Sequence, residues 1–146
     1  MAGVRKASKY LTEIVAAFNR ADFDVTVYVT AQQGDCISAV QRLAGEMDLI
    51  VCCGGDGTLN EVVNGLTFLV PITLGYIPTG SSNDLARDLE YPKDKEQVLA
   101  GILNQPMDFL MDVGQLTTSK GDRAFAVRSQ TALLLDRAEA LLDCFA

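Results

Sequence analysis

The stretch Leu49-Ile50-Val51-Cys52-Cys53-Gly54-Gly55-Asp56-Gly57-Thr58-Leu59-Asn60-Glu61 decides the fold. Its first five residues form a continuous apolar run, as expected of a strand covered on both faces. Glycines at 54, 55 and 57 turn the chain, and Thr58 and Glu61 have the T-x-x-E spacing of a capping box that opens a helix. Gly65 closes that helix. A strand that passes through bare glycines into a helix offers backbone N–H groups at a helix N-terminus, where an anion is stabilised. Asp56 would repel a phosphate on its own. Its presence fits a carboxylate that holds Mg²⁺ against phosphates, or that accepts a proton from an attacking hydroxyl. The plainer reading makes the glycines turn residues and Asp56 a solvated loop carboxylate.

Strand and helix signals alternate on either side of this turn. Ala7, Tyr10, Leu11, Ile14, Val15 and Phe18 recur at helical spacing, which predicts an amphipathic helix over 5–20. Phe23, Val25, Val27 and Val29 alternate with Asp24, Thr26 and Tyr28, which predicts a strand over 23–29. Asp35 caps a helix bearing Ile37, Val40 and Leu43, and Ile72 to Ile77 is a further strand. Ser81 and Asp84 form a second box, opening a helix to about Leu89 that stops before Pro92. Asp94 and Gln97 cap a helix carrying Val98, Leu99, Ile102 and Leu103. Met107–Leu116 and Arg123–Arg128 read as a hairpin around Ser119-Lys120-Gly121-Asp122, and a helical pattern runs from Leu133 to Leu142. The alternation predicts an α/β fold, a three-layer sandwich with a mostly parallel sheet flanked by helices. Ligands in such sheets bind at the carboxyl ends of the strands. The loops 54–58 and 78–82 fall at that edge, as does Thr30, so three segments would meet at one crevice if their strands are neighbours.

Composition excludes other classes. With 146 residues, 49% apolar, the chain is long enough for one domain with its own core. A net charge of −7 and a pI near 4.4 argue against nucleic acid, which needs clustered Lys and Arg. The basic cluster Arg5, Lys6 and Lys9 reads as a solvated helix face, or else as a weak contact with an anionic membrane surface. Histidine is absent and no Cys-x-x-Cys pair occurs, so neither a zinc site nor a histidine base is expected. The cysteines read as core packing in a reducing cytosol. No run reaches the ~20 apolar residues of a membrane span, and the start does not look like a signal peptide. The glycine pattern lacks the third glycine of the dinucleotide fingerprint and the Lys-Ser/Thr of a Walker loop.

Gly-Gly-Asp-Gly-Thr-Leu-Asn-Glu-Val-Val-Asn-Gly at 54–65, followed by Pro78-Thr79-Gly80-Ser81-Ser82-Asn83-Asp84-Leu85-Ala86-Arg87, resembles the catalytic domain of the diacylglycerol kinase family. That family includes bacterial lipid kinases, ceramide kinases and sphingosine kinases. Weaker resemblance runs from about Gly3 to Phe125, with Met111-Asp112-Val113-Gly114 similar to the family's Ile-Asp-Leu-Gly strand. The resemblance implies ATP-dependent, Mg²⁺-assisted phosphorylation of a lipid hydroxyl at a membrane surface by a cytoplasmic protein. It implies nucleotide contacts from Thr30, Gly54, Gly55, Asp56, Gly57, Thr58, Leu59, Asn60, Glu61 and Ser81. Asp56 is then the catalytic residue and the holder of ATP-bound Mg²⁺, while Gly80, Ser82, Asn83 and Asp84 shape the acceptor side. Ser81 stands where the family usually has Thr and keeps the hydroxyl.

The family begins with a strand leading into Asn-Pro-x-Ser/Ala-Gly, of which Ala2-Gly3 would be the remnant, and continues into a β-rich second domain. Residues 1–128 are therefore expected to be the kinase-like domain without its first strand, and 129–146 a helical tail unlike the family. Such a fragment is expected to keep its phosphate loop but to turn over little, and a sheet short of one strand could pair with a second copy as a homodimer. Two alternatives stand beside the lipid kinase. One is an NAD kinase-like enzyme, which shares Gly-Gly-Asp-Gly-Thr but not the 80–84 block. The other is a non-catalytic nucleotide-binding module.

Overall fold

The apolar run at 49–53 becomes a strand because both of its faces are covered. In the computed structural model, which describes residues 2–66, 72–104, 112–118 and 121–127, it forms β1 (Leu49–Gly54). β1 pairs in parallel with β2 (Thr73–Pro78), in a register that sets Leu49 beside Thr73 and Gly54 beside Pro78. A parallel pair needs a crossover, which α3 (Asp56–Gly65) supplies. The remaining helices of this unit are α1 (Ala2–Arg20), α2 (Asp35–Leu43, continued by a 3₁₀ turn at Ala44–Glu46), α4 (Asp84–Asp88) and α5 (Lys95–Asn104). The predicted α/β class with a parallel sheet flanked by helices is what forms.

Strand alternation separates the two covered faces. Odd-numbered residues of β1 and β2 meet α1 and α5: Ile14, Phe18, Ile77 and Val98 form a buried cluster with Leu49, Val51 and Cys53 against it. Burying side chains of this size contributes about 1.5–3 kcal/mol each. Gly75 belongs to the same row, and a Cβ there would meet Ile102 Cγ2 at 3.3 Å, so its bareness lets α5 seat on the sheet. The other face is covered by α3, with α2 packed on α3. Gly65 lies at their crossing, where a Cβ would come within 2.8 Å of Val40 Cβ and 2.9 Å of the Ile37 carbonyl oxygen.

The strand predicted over 23–29 is not part of the sheet. The segment joins no ladder, and Val25, Val27, Tyr28 and Val29 are 36%, 46%, 47% and 72% exposed. Alternation decides which side chains share a face but supplies no hydrogen-bonding partner, and among the described residues β1 pairs only with β2. Side chains anchor it instead. Phe23 meets Phe18 edge to face with ring centroids 5.4 Å apart, and Arg42 lies 5.8 Å from the centre of the Tyr28 ring.

Residues from Asp108 onward form a separate unit. Its described part is the predicted hairpin, β3 (Asp112–Thr118) antiparallel to β4 (Gly121–Val127), with Gly114 opposite Phe125. The expected start of that hairpin at 107–111, its turn residues Ser119 and Lys120, and the helical tail over 129–146 lie outside the described residues. Among the described residues no helix is long and apolar enough to cross a membrane.

Candidate functional site

The β1–β2 register sends two glycine loops out at the same end of the sheet. Gly54 and Pro78 end their strands side by side, and the Thr79 N–H donates to the Gly54 carbonyl at 2.8 Å, extending the contact past the strands. The next residues then touch through bare backbone. A Cβ on Gly80 would lie 2.5 Å from the Gly55 Cα, and one on Gly55 would lie 3.1 Å from the Gly80 Cα. Gly54 is bare for another reason: a Cβ there would meet the Thr58 side chain at 2.5 Å. Packing within the protein thus accounts for three of the four glycines in these loops.

Gly57 is the exception. A Cβ at this position would meet nothing within 4 Å. Gly45 and Gly101 also face open space, so openness alone marks no site. Gly57, however, is the second residue of α3. The N–H groups of Asp56, Gly57 and Thr58 have no carbonyl one turn back to bind; the first such bond runs from Leu59 N–H to Gly55 O at 3.0 Å. The N-cap, Gly55, has extended backbone and no side-chain cap hydrogen bond. An uncapped helix N-terminus with one bare, open position carries the positive end of the helix dipole and suits an anion.

Two capping expectations are corrected here. α3 starts at Asp56, so Thr58 lies in its first turn rather than capping it, and its side chain covers Gly54. α4 starts at Asp84 behind Asn83, with no side-chain cap from Ser81. Asn83 takes the left-handed backbone (φ 50, ψ 53) and binds Gly80 twice. Its Oδ1 accepts from Gly80 N–H at 3.0 Å and its Nδ2 donates to Gly80 O at 3.0 Å. Asn83 therefore holds Gly80 against Gly55. A third correction concerns Asp35. Gly34 is the N-cap of α2, and the Asp35 carboxylate reaches back to the N–H groups of Ala31 (2.8 Å) and Gln32 (3.0 Å). These bonds hold its pKa below the ordinary carboxylate value. Asp94 does act as predicted, accepting from Glu96 N–H at 3.1 Å.

Asp56 stands at the junction of the two loops. Its Oδ1 accepts from the Leu85 N–H at 3.4 Å, so the carboxylate serves the first turn of α4 as well as that of α3. Behind it lies Tyr76, 3% exposed, whose hydroxyl is 3.5 Å from Asn83 Oδ1. Burial, and after it the Asp56 carboxylate, raises the Tyr76 pKa, so this phenol stays protonated and serves as a neutral donor. Among the described residues no group of three or more His, Cys, Asp or Glu could hold a metal ion. Mg²⁺ commonly uses one or two carboxylates together with substrate phosphates and water, and Asp56 beside the open N-terminus of α3 fits that demand.

The structure brings together Gly54, Gly55, Asp56, Gly57, Thr58, Gly80 and Asn83. Leu59 is buried beneath α3 and anchors it; Asn60 and Glu61 follow on the same helix, where Asn64 Nδ2 donates to the Asn60 carbonyl at 2.8 Å. Ser81 and Ser82 are exposed beside Gly80. Asp84 pairs with Arg87 at 2.8 Å on the exposed side of α4. The strand expected to carry Thr30 to this edge is not laddered. Sequence reasoning missed Tyr76 and Thr79 as members of the site. Tyr76 lies within β2 and Thr79 just beyond its end, and nothing in the sequence shows which of them meets the second loop.

Three comparisons bear on this arrangement. The family model described as diacylglycerol kinase catalytic domain matches residues 1–116. The diacylglycerol kinase of Bacillus subtilis (strain 168) is 38% identical over 110 residues, covering 74% of this chain and 36% of the relative. That of Staphylococcus haemolyticus (strain JCSC1435) is 40% identical over 86 residues, covering 58% and 26%. A crystal structure of a diacylglycerol kinase from Bacillus anthracis str. Sterne superposes with a TM-score of 0.67 at 31% identity, covering 79% of this chain and 39% of that one. The chain thus spans between about a quarter and two fifths of the length of these relatives.

Proposed function

This chain belongs to the diacylglycerol kinase catalytic domain family, and we propose that it is the nucleotide-binding part of a lipid kinase that transfers the γ-phosphoryl group of ATP to a lipid hydroxyl. One observation carries the reading: α3 presents an uncapped N-terminus whose bare, open residue is Gly57, flanked by the Asp56 carboxylate. The backbone N–H groups of Asp56, Gly57 and Thr58 would receive phosphate oxygens. Gly55 and Gly80, locked together through Asn83, hold that turn rigid, so little reorganisation accompanies binding. Mg²⁺ would offset phosphate charge, with Asp56 as its protein ligand. Asp56 would also accept a proton from an acceptor hydroxyl arriving over the α4 side, where Ser82 and Asn83 lie. Ser81, exposed at the same edge, would add a hydroxyl contact to the nucleotide.

The lipid acceptor implies peripheral attachment to a membrane from the cytoplasmic side. A homodimer through the unladdered 23–30 segment fits its exposed valines; sedimentation equilibrium on the wild type and Val29→Lys tests it, with identical monomer masses ending the idea.

The deciding experiment is titration calorimetry with ADP and Mg²⁺ on the wild type and Asp56→Asn, beside a radiolabelled-ATP assay with diacylglycerol in mixed micelles. Mg²⁺-dependent binding that Asp56→Asn weakens supports the assignment. Equal binding by both proteins removes Asp56 from the site, and NADP formation from NAD in the same assay would replace the lipid acceptor.

A further inference from the structure

The loop that links β2 to α4 is shaped from within but placed from outside. Its internal shape comes from Asn83, whose amide exchanges two hydrogen bonds with Gly80, each at 3.0 Å. Both partners lie in the same loop, so these bonds fix its form and leave its seat on the sheet undecided. Contacts that leave the loop decide the seat. One is backbone: the Thr79 N–H donates to the Gly54 carbonyl at 2.8 Å. One is steric: Gly80 lies bare against Gly55. Another comes from a side chain outside both glycine loops, Tyr76, whose hydroxyl is 3.5 Å from Asn83 Oδ1.

Tyr76 is firmly held for that task. It stands opposite Cys52 in the β1–β2 register and is buried. Its ring centre lies 6.1 Å from that of Tyr91, with the planes tilted by 51°, and the Tyr91 N–H donates to the Ala86 carbonyl of α4 at 2.8 Å. The phenol stays protonated, so it faces the amide oxygen as a donor. An amide oxygen has two lone pairs. The Gly80 N–H takes one, and the Tyr76 hydroxyl stands at the other. The contact is long, since O–H···O pairs most often lie at about 2.7–2.8 Å. A bond of this length adds little to stability. What the phenol oxygen supplies is position: it limits how far Asn83 can sink toward β2. Asn83 carries Gly80, and Gly80 lies on Gly55, the N-cap of α3. Tyr76, Asn83, Gly80 and Gly55 thus form a continuous chain from the buried sheet to the open helix start.

We propose that Tyr76 is a positioning residue of the nucleotide site, which acts through Asn83 to hold Gly80 and the Gly55 turn where the first N–H groups of α3 meet phosphate. This inference rests on the reading of that edge as a nucleotide site. Aligned donors lose their hold on a ligand with small displacements, so removing the phenol oxygen is felt in binding before it is felt in folding.

The test is calorimetry with ADP and Mg²⁺, beside thermal unfolding, on the 146-residue chain and four variants. Tyr76→Phe keeps the ring and removes the oxygen. It is expected to weaken ADP binding about three- to tenfold while the melting temperature stays near that of the wild type. Asn83→Gly removes the amide, and glycine accepts the left-handed backbone at that position, so the fold is kept while binding weakens. The double variant is expected to bind no more weakly than Asn83→Gly alone, because the phenol acts only through the amide. Tyr91→Phe removes a hydroxyl from the same ring pair and is expected to bind ADP as the wild type does. A merely structural Tyr76 would lower the melting temperature and leave affinity unchanged. Wild-type affinity in Tyr76→Phe, or losses that add in the double variant, overturn the proposal and leave the nucleotide reading standing. Absence of ADP binding by the wild type overturns that reading and this inference together.

Discussion

Replacing Gly57 by alanine should move stability and nucleotide binding in opposite directions. The added Cβ meets no atom within 4 Å, and Gly57 has no positive φ, so the folded chain accepts it without strain. Alanine is favoured over glycine in a helix by about 0.5–1 kcal/mol, mostly through the unfolded chain. Near the helix end the lower figure applies. For a domain of this size, about 0.5 kcal/mol raises the melting temperature by roughly 1–4 °C. The same methyl enters the space that a phosphate oxygen needs in order to reach the N–H groups at the start of α3. Losing one charge-assisted hydrogen bond costs about 1.5–3 kcal/mol, or roughly a ten- to hundredfold rise in Kd. Thermal unfolding by circular dichroism and calorimetry with ADP and Mg²⁺ read the two effects separately. A raised melting temperature with unchanged nucleotide affinity would refute the placement of phosphate at this helix start. A lowered melting temperature would show that the open space beside Gly57 is not open in solution.

Gly80→Ala should behave differently, because its Cβ would lie 2.5 Å from the Gly55 Cα and 2.8 Å from Asn83 Oδ1. Overpacking of backbone against backbone costs about 1–3 kcal/mol, so melting temperature and nucleotide affinity should fall together; wild-type melting would contradict the contact. Asp56→Asn keeps an oxygen for the Leu85 N–H and should leave stability within about 0.5 kcal/mol, whereas Asp56→Ala removes that acceptor and should cost about 1 kcal/mol. Equal chemical denaturation midpoints for the two variants would exclude this second task for the carboxylate. Asp35 should titrate below 3.8 in the folded chain, since the Ala31 and Gln32 N–H groups bind its charged form. Its stabilisation is then complete above the unfolded value and is lost as pH falls through the lower folded one; an Asp35 carboxyl resonance titrating at or above 3.8 would reverse the sign. Burial raises the pKa of the Cys53 thiol to about 11 and that of Cys52 further, so site-resolved alkylation at pH 8 should mark Cys36 well before either. Early modification of Cys52 would show that β1 opens.

The elements that were legible in the sequence are those whose pattern reports burial. The run 49–53 and the strand at 73–78 are apolar because helices cover both faces, and the helical spacing of Ile14 and Phe18 marks the face of α1 that reaches the core. Misreadings arose where a local motif had more than one physical use. The Thr58/Glu61 spacing fits a capping box, yet Gly55 already has the extended backbone of an N-cap, so the helix begins earlier and Thr58 packs on Gly54. Ser81 had the right spacing to cap α4, but Asn83 tolerates the left-handed conformation and takes over the turn. The 23–29 alternation is genuine, but a ladder is a relation between two segments and one segment cannot announce it. In the sequence, Gly54, Gly55 and Gly57 read as phosphate-facing and Gly80 as part of the acceptor side. Only coordinates could divide them into three that serve contacts inside the protein and one that serves nothing within it.

The backbone contact between Gly55 and Gly80 also makes two short motifs, distant in sequence, a single mutational unit. Neither position can gain a side chain unless the other retreats, and neither has a smaller residue to retreat to. A search that varies one loop at a time will therefore meet a wall at both positions. Diversity in this family should be sought at the outward-facing seryl pair and along α4, where substitution leaves the hinge of the two loops untouched.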